Sequence, residues 1–173
     1  MTEQTKRVIL LAAGVLLVAP LLAASGSGSV ATLSYLGQKS LPRGMRNNNP
    51  GNIRIGASPW KGKIPVARNT DGAFEQFEAY VWGIRAMILN LRSYFNAGTN
   101  TLRKIITKWA PSSDGNDTAA YIATVSAQTG LGPDAVLNFD QATLRKLVRA
   151  MAWVENGRDA VADDQFNYAW KLV

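Results

Sequence analysis

Apolar residues recur every three or four positions through the second half of the chain, and this spacing predicts five amphipathic helices. Pro111 ends the second of them, and Gly130 ends the third. Asp140 is placed to cap the fourth helix, which runs to Glu155. The apolar positions that define the helices are Ile84, Met87, Ile88, Leu91 and Phe95; Leu102, Ile105, Ile106 and Trp109; Tyr121, Ile122 and Val125; Leu144, Leu147, Val148, Met151 and Val154; and Phe166, Trp170 and Val173.

The pattern ahead of these helices is that of a loop followed by a β-hairpin. Residues 47–52 contain too many Asn, Pro and Gly for a helix or strand, so they predict a turn-rich exposed loop. Residues 60–66 and 73–77 are rich in aromatic and β-branched residues, with the turn signal Asn-Thr-Asp-Gly at 69–72 between them. A small hairpin among short helices indicates an α+β fold that is mostly helical.

The N-terminal segment is separate from this domain. Lys6 and Arg7 precede an apolar run over residues 8–24, which as a helix would span about 26 Å, close to the hydrocarbon core of a membrane. We therefore expect a transmembrane anchor at residues 1–24, a flexible Gly/Ser-rich linker at 25–42 and one domain at 43–173. A signal peptide is the alternative for the first segment. The two basic residues predict that the N-terminus lies inside and the domain outside the cytoplasm, or on the topologically equivalent sides of a virus membrane.

Composition excludes several kinds of chemistry, because the chain contains no His and no Cys. A Cys–His peptidase, a Ser-His-Asp triad and a zinc site with His or Cys ligands all need these residues. Cleavage of a glycosidic bond needs only carboxylic acids, so it stays possible. No metal and no cofactor are expected.

Several motifs, taken together and in this order, resemble the lytic transglycosylase and lysozyme-like domains of phage virion proteins. The resemblance extends from Arg43 to about Gly157 and implies a lysozyme-like domain with a small β-hairpin. In the better-known enzymes the helix with the catalytic Glu precedes the hairpin, whereas here it follows, so a circularly permuted fold would account for the order. The motifs are Arg-Asn-Asn-Asn-Pro-Gly-Asn-Ile-Arg at 46–54, Gly-x-Phe-x-x-Phe at 72–77, Gly-Ile-Arg-Ala at 83–86, Lys-Trp-Ala-Pro at 108–111 and Glu-Asn-Gly at 155–157.

The resemblance implies that Glu155 is the catalytic general acid and base, because the catalytic Glu of lytic transglycosylases ends a core helix. Its surroundings give separate support, since Met151, Trp153 and Val154 would exclude water and raise the pKa of its carboxyl group. The alternative is a surface ion pair with Arg158, three residues later on the helix.

The number of available acids bears on the reaction. A hydrolase normally needs a second carboxylate about 5 to 9.5 Å from the first, and Glu75 and Glu78 are the candidates. They would lie on opposite faces of a strand, so at most one would face a cleft. The resemblance implies that a lytic transglycosylase needs one acid, because the 6-hydroxyl of its substrate attacks. We therefore expect a lytic transglycosylase that cleaves MurNAc-GlcNAc strands.

The turn-rich loop is predicted to form a wall of the substrate groove, because amides donate to and accept from N-acetyl and hydroxyl groups. A purely structural turn is the alternative. Tyr121 is predicted to stack on a sugar, since it follows the polar loop at 112–117. The loop residues predicted to bind substrate are Asn47, Asn48, Asn49, Asn52 and Arg54.

A net charge of +7 favours anionic partners. Peptidoglycan and anionic lipid fit this charge, whereas the basic residues are too scattered for a nucleic-acid surface. We expect peptidoglycan, a membrane contacted through residues 8–24 and other virion proteins as partners. The expected location is the virion membrane or interior, or the host inner membrane, and the expected role is local cell-wall penetration during genome entry. The alternative is a structural virion or membrane protein whose lysozyme-like domain binds glycan without cutting it.

Overall fold

The computed structural model describes residues 29–173, and this part of the chain is mostly helical. The predicted membrane anchor and the first residues of the predicted linker lie outside the described residues. Between residues 29 and 173, no helix has the length and apolar character needed to cross a membrane. The helices are α1 (Arg43–Arg46), α2 (Tyr80–Asn96), α3 (Leu102–Trp109), α4 (Thr118–Thr129), α5 (Gln141–Asn156) and α6 (Asp163–Lys171), with turns of 3-10 helix at Val66–Arg68 and Ser112–Asp114.

The five amphipathic helices predicted from the apolar spacing are confirmed as α2 to α6. Helix α2 packs against α5 and α6, and α4 packs against α3 and α5. The apolar faces meet in one core, in which Ile84, Met87, Leu144, Leu147 and Phe166 are fully buried. Burial of these faces stabilises the helices far more than their intrinsic propensities do.

The predicted helix ends are also observed. The Asp140 side chain accepts a hydrogen bond from the backbone N–H of Thr143 at the start of α5, and Asp117 caps α4 in the same way. Gly130 and Gly157 follow α4 and α5 in the left-handed backbone conformation, which glycine adopts without a steric penalty. The last turn of α5 therefore ends at a defined point, immediately after Glu155 and Asn156.

The predicted β-hairpin forms only in part. Residues 62–64 and 76–78 run antiparallel, with Ile64 N–H donating to Gln76 O and Glu78 N–H donating to Gly62 O. Residues 73–75 also pair with 53–55, through Glu75 N–H to Ile53 O and the reciprocal bond from residue 55. Each pairing amounts to a single β-bridge, and the segment between them contains a 3-10 turn. In the described part these segments form isolated bridges, because loop contacts interrupt the pairing after one or two hydrogen bonds.

The described part of the predicted linker is docked on the domain. Tyr35 N–H donates to Asn48 Oδ1 at 2.8 Å, and Tyr80 N–H donates to Leu33 O at 2.8 Å. The rings of Tyr35 and Tyr80 meet edge to face with their centroids 4.8 Å apart. The packed domain therefore begins near Leu33, before the predicted boundary at residue 43.

The turn-rich loop lies directly on the central helix, because Gly83 of α2 leaves room for it. A Cβ at residue 83 would overlap the carbonyl oxygen of Asn48. Asn48 itself has a φ of 53°, a left-handed conformation that Asn tolerates better than most residues. This close contact fixes the loop against the core and so positions the residues that follow it.

Candidate active site

A cleft of about 1170 Å³ opens beside the C-terminal end of α5. One wall is the loop at residues 51–54, and another is the end of α3 with the 3-10 turn that follows it. Glu155 lines this cleft from the last turn of α5 and is half-buried. Its position follows from the helix period, since Met151 and Ala152 one turn earlier are fully buried. The buried face of α5 thus ends in a carboxyl group where the cleft reaches solvent.

Among residues 29–173, three neutral side chains are within hydrogen-bond distance of the Glu155 carboxyl group. Asn52 Nδ2 lies 2.8 Å from Oε2, whereas Trp109 Nε1 and the Tyr121 hydroxyl each lie 3.2 Å from Oε1. These partners come from a loop, the end of α3 and the first turn of α4. Because they lie on separate elements, they fix the carboxyl group only when the domain is folded.

The Tyr121 hydroxyl can form a hydrogen bond with either protonation state of Glu155. Its hydroxyl lies 3.2 Å from Glu155 Oε1 and 3.3 Å from Met151 O. Beside a carboxylate it donates to Glu155, and beside a carboxylic acid it donates to Met151 O and accepts from Glu155. The predicted stacking of Tyr121 on a sugar is wrong, since the side chain is only 4% exposed. It contacts the acid instead.

Asn52 and Asn156 join the loop to the end of α5. Asn52 has a φ of 47° and donates to both the backbone oxygen and the carboxyl group of Glu155. Asn156 Nδ2 donates to Pro50 O at 2.8 Å. Gly44 allows this arrangement, because a Cβ there would lie 2.5 Å from Asn156 Oδ1. Asn52, predicted to bind substrate, lines the cleft, and its amide donates to Glu155.

The prediction that Asn47, Asn48 and Asn49 face the substrate is wrong. All three are buried, with at most 2% of their surface exposed. Their amides are used inside the protein: Asn48 Nδ2 donates to Phe77 O, and Asn49 Nδ2 donates to the backbone oxygens of Ile53 and Glu75. A loop whose backbone lies against α2 needs such bonds for its buried polar groups. For these three residues the alternative interpretation, a purely structural turn, fits the observed contacts.

Asp71 is the charged centre of the same loop network. Both oxygens accept from the Arg43 guanidinium at 2.7 Å, and Asn47 Nδ2 also donates to Oδ2 at 2.7 Å. Burial acts to raise the pKa of Asp71, but these bonds and the backbone N–H groups of Phe74 and Ala73 outweigh it and hold that pKa well below its usual range. Asp71 therefore stays ionised and ties α1 to the loop at 69–74.

Neither predicted second acid lies in the cleft. Glu75 is fully buried and accepts from Lys63 Nζ at 2.7 Å and from Gly56 N–H at 3.0 Å. Glu78 is exposed just before α2 and does not line the cleft. Pairing on both sides of residues 73–78 turns the Glu75 side chain into the protein, which a hairpin pattern alone does not show. The prediction for Glu75 and Glu78 is thus corrected.

In the described part of the chain, the carboxylate that lines the cleft together with Glu155 is that of Asp114, which the motifs did not single out. It is exposed on the 3-10 turn and lies 3.7 Å from Arg54 across the cleft. Arg54 was predicted at this site, and it lines the cleft with its guanidinium 5.5 Å from the Phe74 ring centroid. The polar loop at 112–117 was a signal for Asp114, although nothing in its spacing distinguished this acid from Asp117.

Aromatic side chains supply the apolar surface of the cleft. Phe74, Tyr94 and Trp109 line it, and the rings of Tyr94 and Trp109 meet edge to face with centroids 6.4 Å apart. Trp109 belongs to the Lys-Trp-Ala-Pro motif, which could have pointed to it. Trp153, expected to shield Glu155 from water, is instead 37% exposed. The rings beside the carboxyl group are those of Trp109 and Tyr121.

Comparison with known proteins relates the chain to a phage protein. No protein-family model matches the chain. The chain is 35% identical over 147 residues to Protein P5 of Pseudoalteromonas phage PM2, an alignment that covers 79% of this chain and 89% of that protein. The similar protein is thus a phage protein, which agrees with the phage origin that the motifs indicate.

Proposed function

We propose that this chain, which belongs to the family of Protein P5 of Pseudoalteromonas phage PM2, is a lytic transglycosylase with a lysozyme-like domain that cleaves the glycan strands of peptidoglycan. The observation that carries the proposal is the setting of Glu155. It is a carboxyl group at the end of an amphipathic core helix, open to a cleft of about 1170 Å³ and within hydrogen-bond distance of three neutral side chains of the described residues. A carboxylic acid placed in this way can act as general acid and then as general base.

The proposed reaction needs only this one acid. Glu155 donates its proton to the oxygen of the glycosidic bond, and the bond from that oxygen to C1 of the muramyl residue breaks. The 6-hydroxyl of the same muramyl residue then forms a bond to C1 and returns its proton to Glu155. The products are a strand with a 1,6-anhydro end and a strand with a free hydroxyl group, and no water is consumed.

The partners of Glu155 have defined tasks in this cycle. Tyr121 changes its donor direction between Glu155 and Met151 O as the proton leaves and returns. Trp109 and Asn52 donate N–H groups to the two carboxyl oxygens and hold the group in one orientation. Positioning of this kind matters, because general acid catalysis requires the acid within hydrogen-bond distance of the leaving oxygen.

Placement of the acids supports a transglycosylase over a hydrolase. Glu75 and Glu78 lie away from the cleft, and Asp114 faces Arg54 on the exposed wall. Of the acids in residues 29–173, Asp114 is the one that a hydrolase would have to use to activate water or as nucleophile. A purely glycan-binding protein would need no acid oriented in an open cleft, so the alternative structural role has less support. We further propose that the enzyme is membrane-anchored and virion-associated and opens the cell wall locally during genome entry.

The test is mass analysis of the fragments that the purified full chain releases from peptidoglycan. We expect muropeptides with 1,6-anhydro ends, both from the wild type and from the Asp114→Asn variant. Reducing ends that disappear in Asp114→Asn would instead show a hydrolase with Asp114 as its second acid. A wild type that binds peptidoglycan and releases no fragments would support the glycan-binding alternative.

A further inference from the structure

Of the residues that the structure describes, three with basic side chains line the cleft, and they differ in the contacts that their charged groups make. Arg43 donates two hydrogen bonds to Asp71, so its guanidinium is already paired with a carboxylate. The Lys108 ammonium lies over the Tyr94 ring, 4.4 Å from the centroid. Within residues 29–173 the Arg54 guanidinium makes no hydrogen bond, although Asp114 lies near it. Of these three, Arg54 is the arginine whose donors are open to a ligand.

The contact between Arg54 and Asp114 is a weak one. Their closest nitrogen and oxygen are 3.7 Å apart, and the two side chains are 65% and 44% exposed. Exposed pairs at such distances contribute little, because water screens them and holding two long side chains costs entropy. A ligand carboxylate that met the arginine fork with two hydrogen bonds would replace Asp114 readily.

The geometry also orients Arg54 toward the cleft. Its guanidinium carbon is 5.5 Å from the Phe74 ring centroid, and Phe74 itself lines the cleft. A planar guanidinium near an aromatic face keeps its donors directed outward while its charge contacts the ring. The neighbouring residue Asn52 holds Glu155, so Arg54 lies two residues from a contact with the proposed acid.

We propose that Arg54 binds a carboxylate of the peptide stem of peptidoglycan and that Asp114 takes the place of this carboxylate in the free protein. The inference rests on the proposed function, because the stem is attached to the muramyl residue whose glycosidic bond is cleaved. Binding the stem at Arg54 and the sugar at Glu155 sets the register of the strand in the cleft. The favoured substrate is therefore a stem-bearing strand.

The test compares stem-bearing glycan strands with the same strands after enzymatic removal of their peptides. With substrate below saturation, we expect the full chain to cleave the stem-bearing strands about fivefold faster, the size of one exposed charged contact with good geometry. In Arg54→Gln this ratio should fall to about one. Arg103→Gln is the matched control, because Arg103 also faces an exposed aspartate, Asp134, and lies outside the cleft. It should keep the wild-type ratio.

The outcomes separate this inference from the proposed function. Equal rates on both strands, or an undiminished ratio in Arg54→Gln, would overturn the role of Arg54 and leave the transglycosylase in place. Absence of cleavage of both substrates would overturn the proposed activity. Binding of a free stem tetrapeptide to the full chain would then test the role of Arg54 by itself. Binding that Arg54→Gln abolishes and Arg103→Gln retains supports the carboxylate site, and any other binding result overturns it.

Discussion

At the scale of single residues, Asn52 shows how a backbone conformation and a side chain serve one site. Its positive φ turns the chain so that the amide reaches Glu155, and its Nδ2 bonds both the backbone oxygen and the carboxyl group of that residue. Few residue types meet both needs, since most side chains are strained in this conformation. Asn52 is therefore a positioning residue for the proposed acid.

Two substitutions at Asn52 separate the effect of the backbone conformation from that of the side-chain amide. Asn52→Gly keeps the backbone conformation and removes the amide, whereas Asn52→Ala removes the amide and adds strain of about 1 kcal/mol. We expect both variants to cleave peptidoglycan about tenfold more slowly, since a hydrogen bond to a charged group is lost. Urea unfolding should show the larger loss of stability in Asn52→Ala. An Asn52→Gly variant with the wild-type cleavage rate would contradict the positioning role.

The sequence could identify some residues of the site and not others. Glu155 ends an amphipathic helix, and Asn52 and Arg54 follow a Pro-Gly turn, so each had a local signal. Asn47, Asn48 and Asn49 carried the same signal and are buried. An Asn in a turn has the same appearance in the sequence whether its amide bonds a ligand or the protein's own backbone. Only the packing of the loop on Gly83 distinguishes the two.

At the scale of elements, the short helix α1 and the loop at 69–74 are joined by charge. Asp71 accepts from Arg43 of α1, from Asn47 immediately after it and from two backbone N–H groups of its own loop. Few apolar contacts are available to such short segments. This ion pair therefore stabilises the part of the fold from which the Asn52 loop begins.

The pairing of Asp71 predicts a pH dependence of stability. The folded protein holds the pKa of this carboxyl well below its ordinary value of 3.8, so the unfolded chain binds the proton more strongly. The contribution of Asp71 to the free energy of unfolding is therefore complete above about pH 4 and is lost as the pH falls through the lower, folded-state pKa. We expect Asp71→Asn to be less stable than the wild type by about 2 kcal/mol at pH 7, the size of hydrogen bonds to a charged group.

The measurement is urea unfolding of the wild type and Asp71→Asn between pH 7 and pH 2.5. The difference in free energy of unfolding between the two proteins should become smaller below pH 4. Asp134→Asn is the control, because Asp134 also pairs with an arginine but at an exposed site, and it should change stability little. A difference that stays constant down to pH 2.5 would argue against an ionised, stabilising Asp71.

Helices were predictable from the sequence to a greater extent than the bridged loops. Each of α2 to α6 carries a full apolar stripe, and the period of this stripe depends on the helix alone. Residues 74–77 are all buried, and the segment that contains them bonds to two different loops, so the alternation of a half-exposed strand is absent. The conformation of such a segment depends on which distant parts of the chain it pairs with, and a local sequence pattern does not contain this information.

At the scale of the whole molecule, the candidate site exists only because distant parts of the chain meet. Asn52 and Glu155 are 103 positions apart, and Trp109 and Tyr121 approach the acid from other elements. The sequence could name three of these four residues but not their contact. Membership in the family of the phage PM2 protein supports a phage setting. The chemistry of the cleft carries the proposal about function.

The central claim is that Glu155 is the general acid for cleavage of the glycan strand. The most direct measurement is the rate at which the full chain releases 1,6-anhydro muropeptides from purified peptidoglycan, for the wild type, Glu155→Gln and Glu78→Gln. Gln keeps the shape of Glu155 but cannot donate the proton, and its one amide oxygen can accept from Asn52 or from Trp109 but not from both. We expect Glu155→Gln to be slower by a factor of about 100 to 10,000, while Glu78→Gln, which changes an exposed acid outside the cleft, keeps the wild-type rate. A folded Glu155→Gln variant that cleaves as fast as the wild type would contradict the claim.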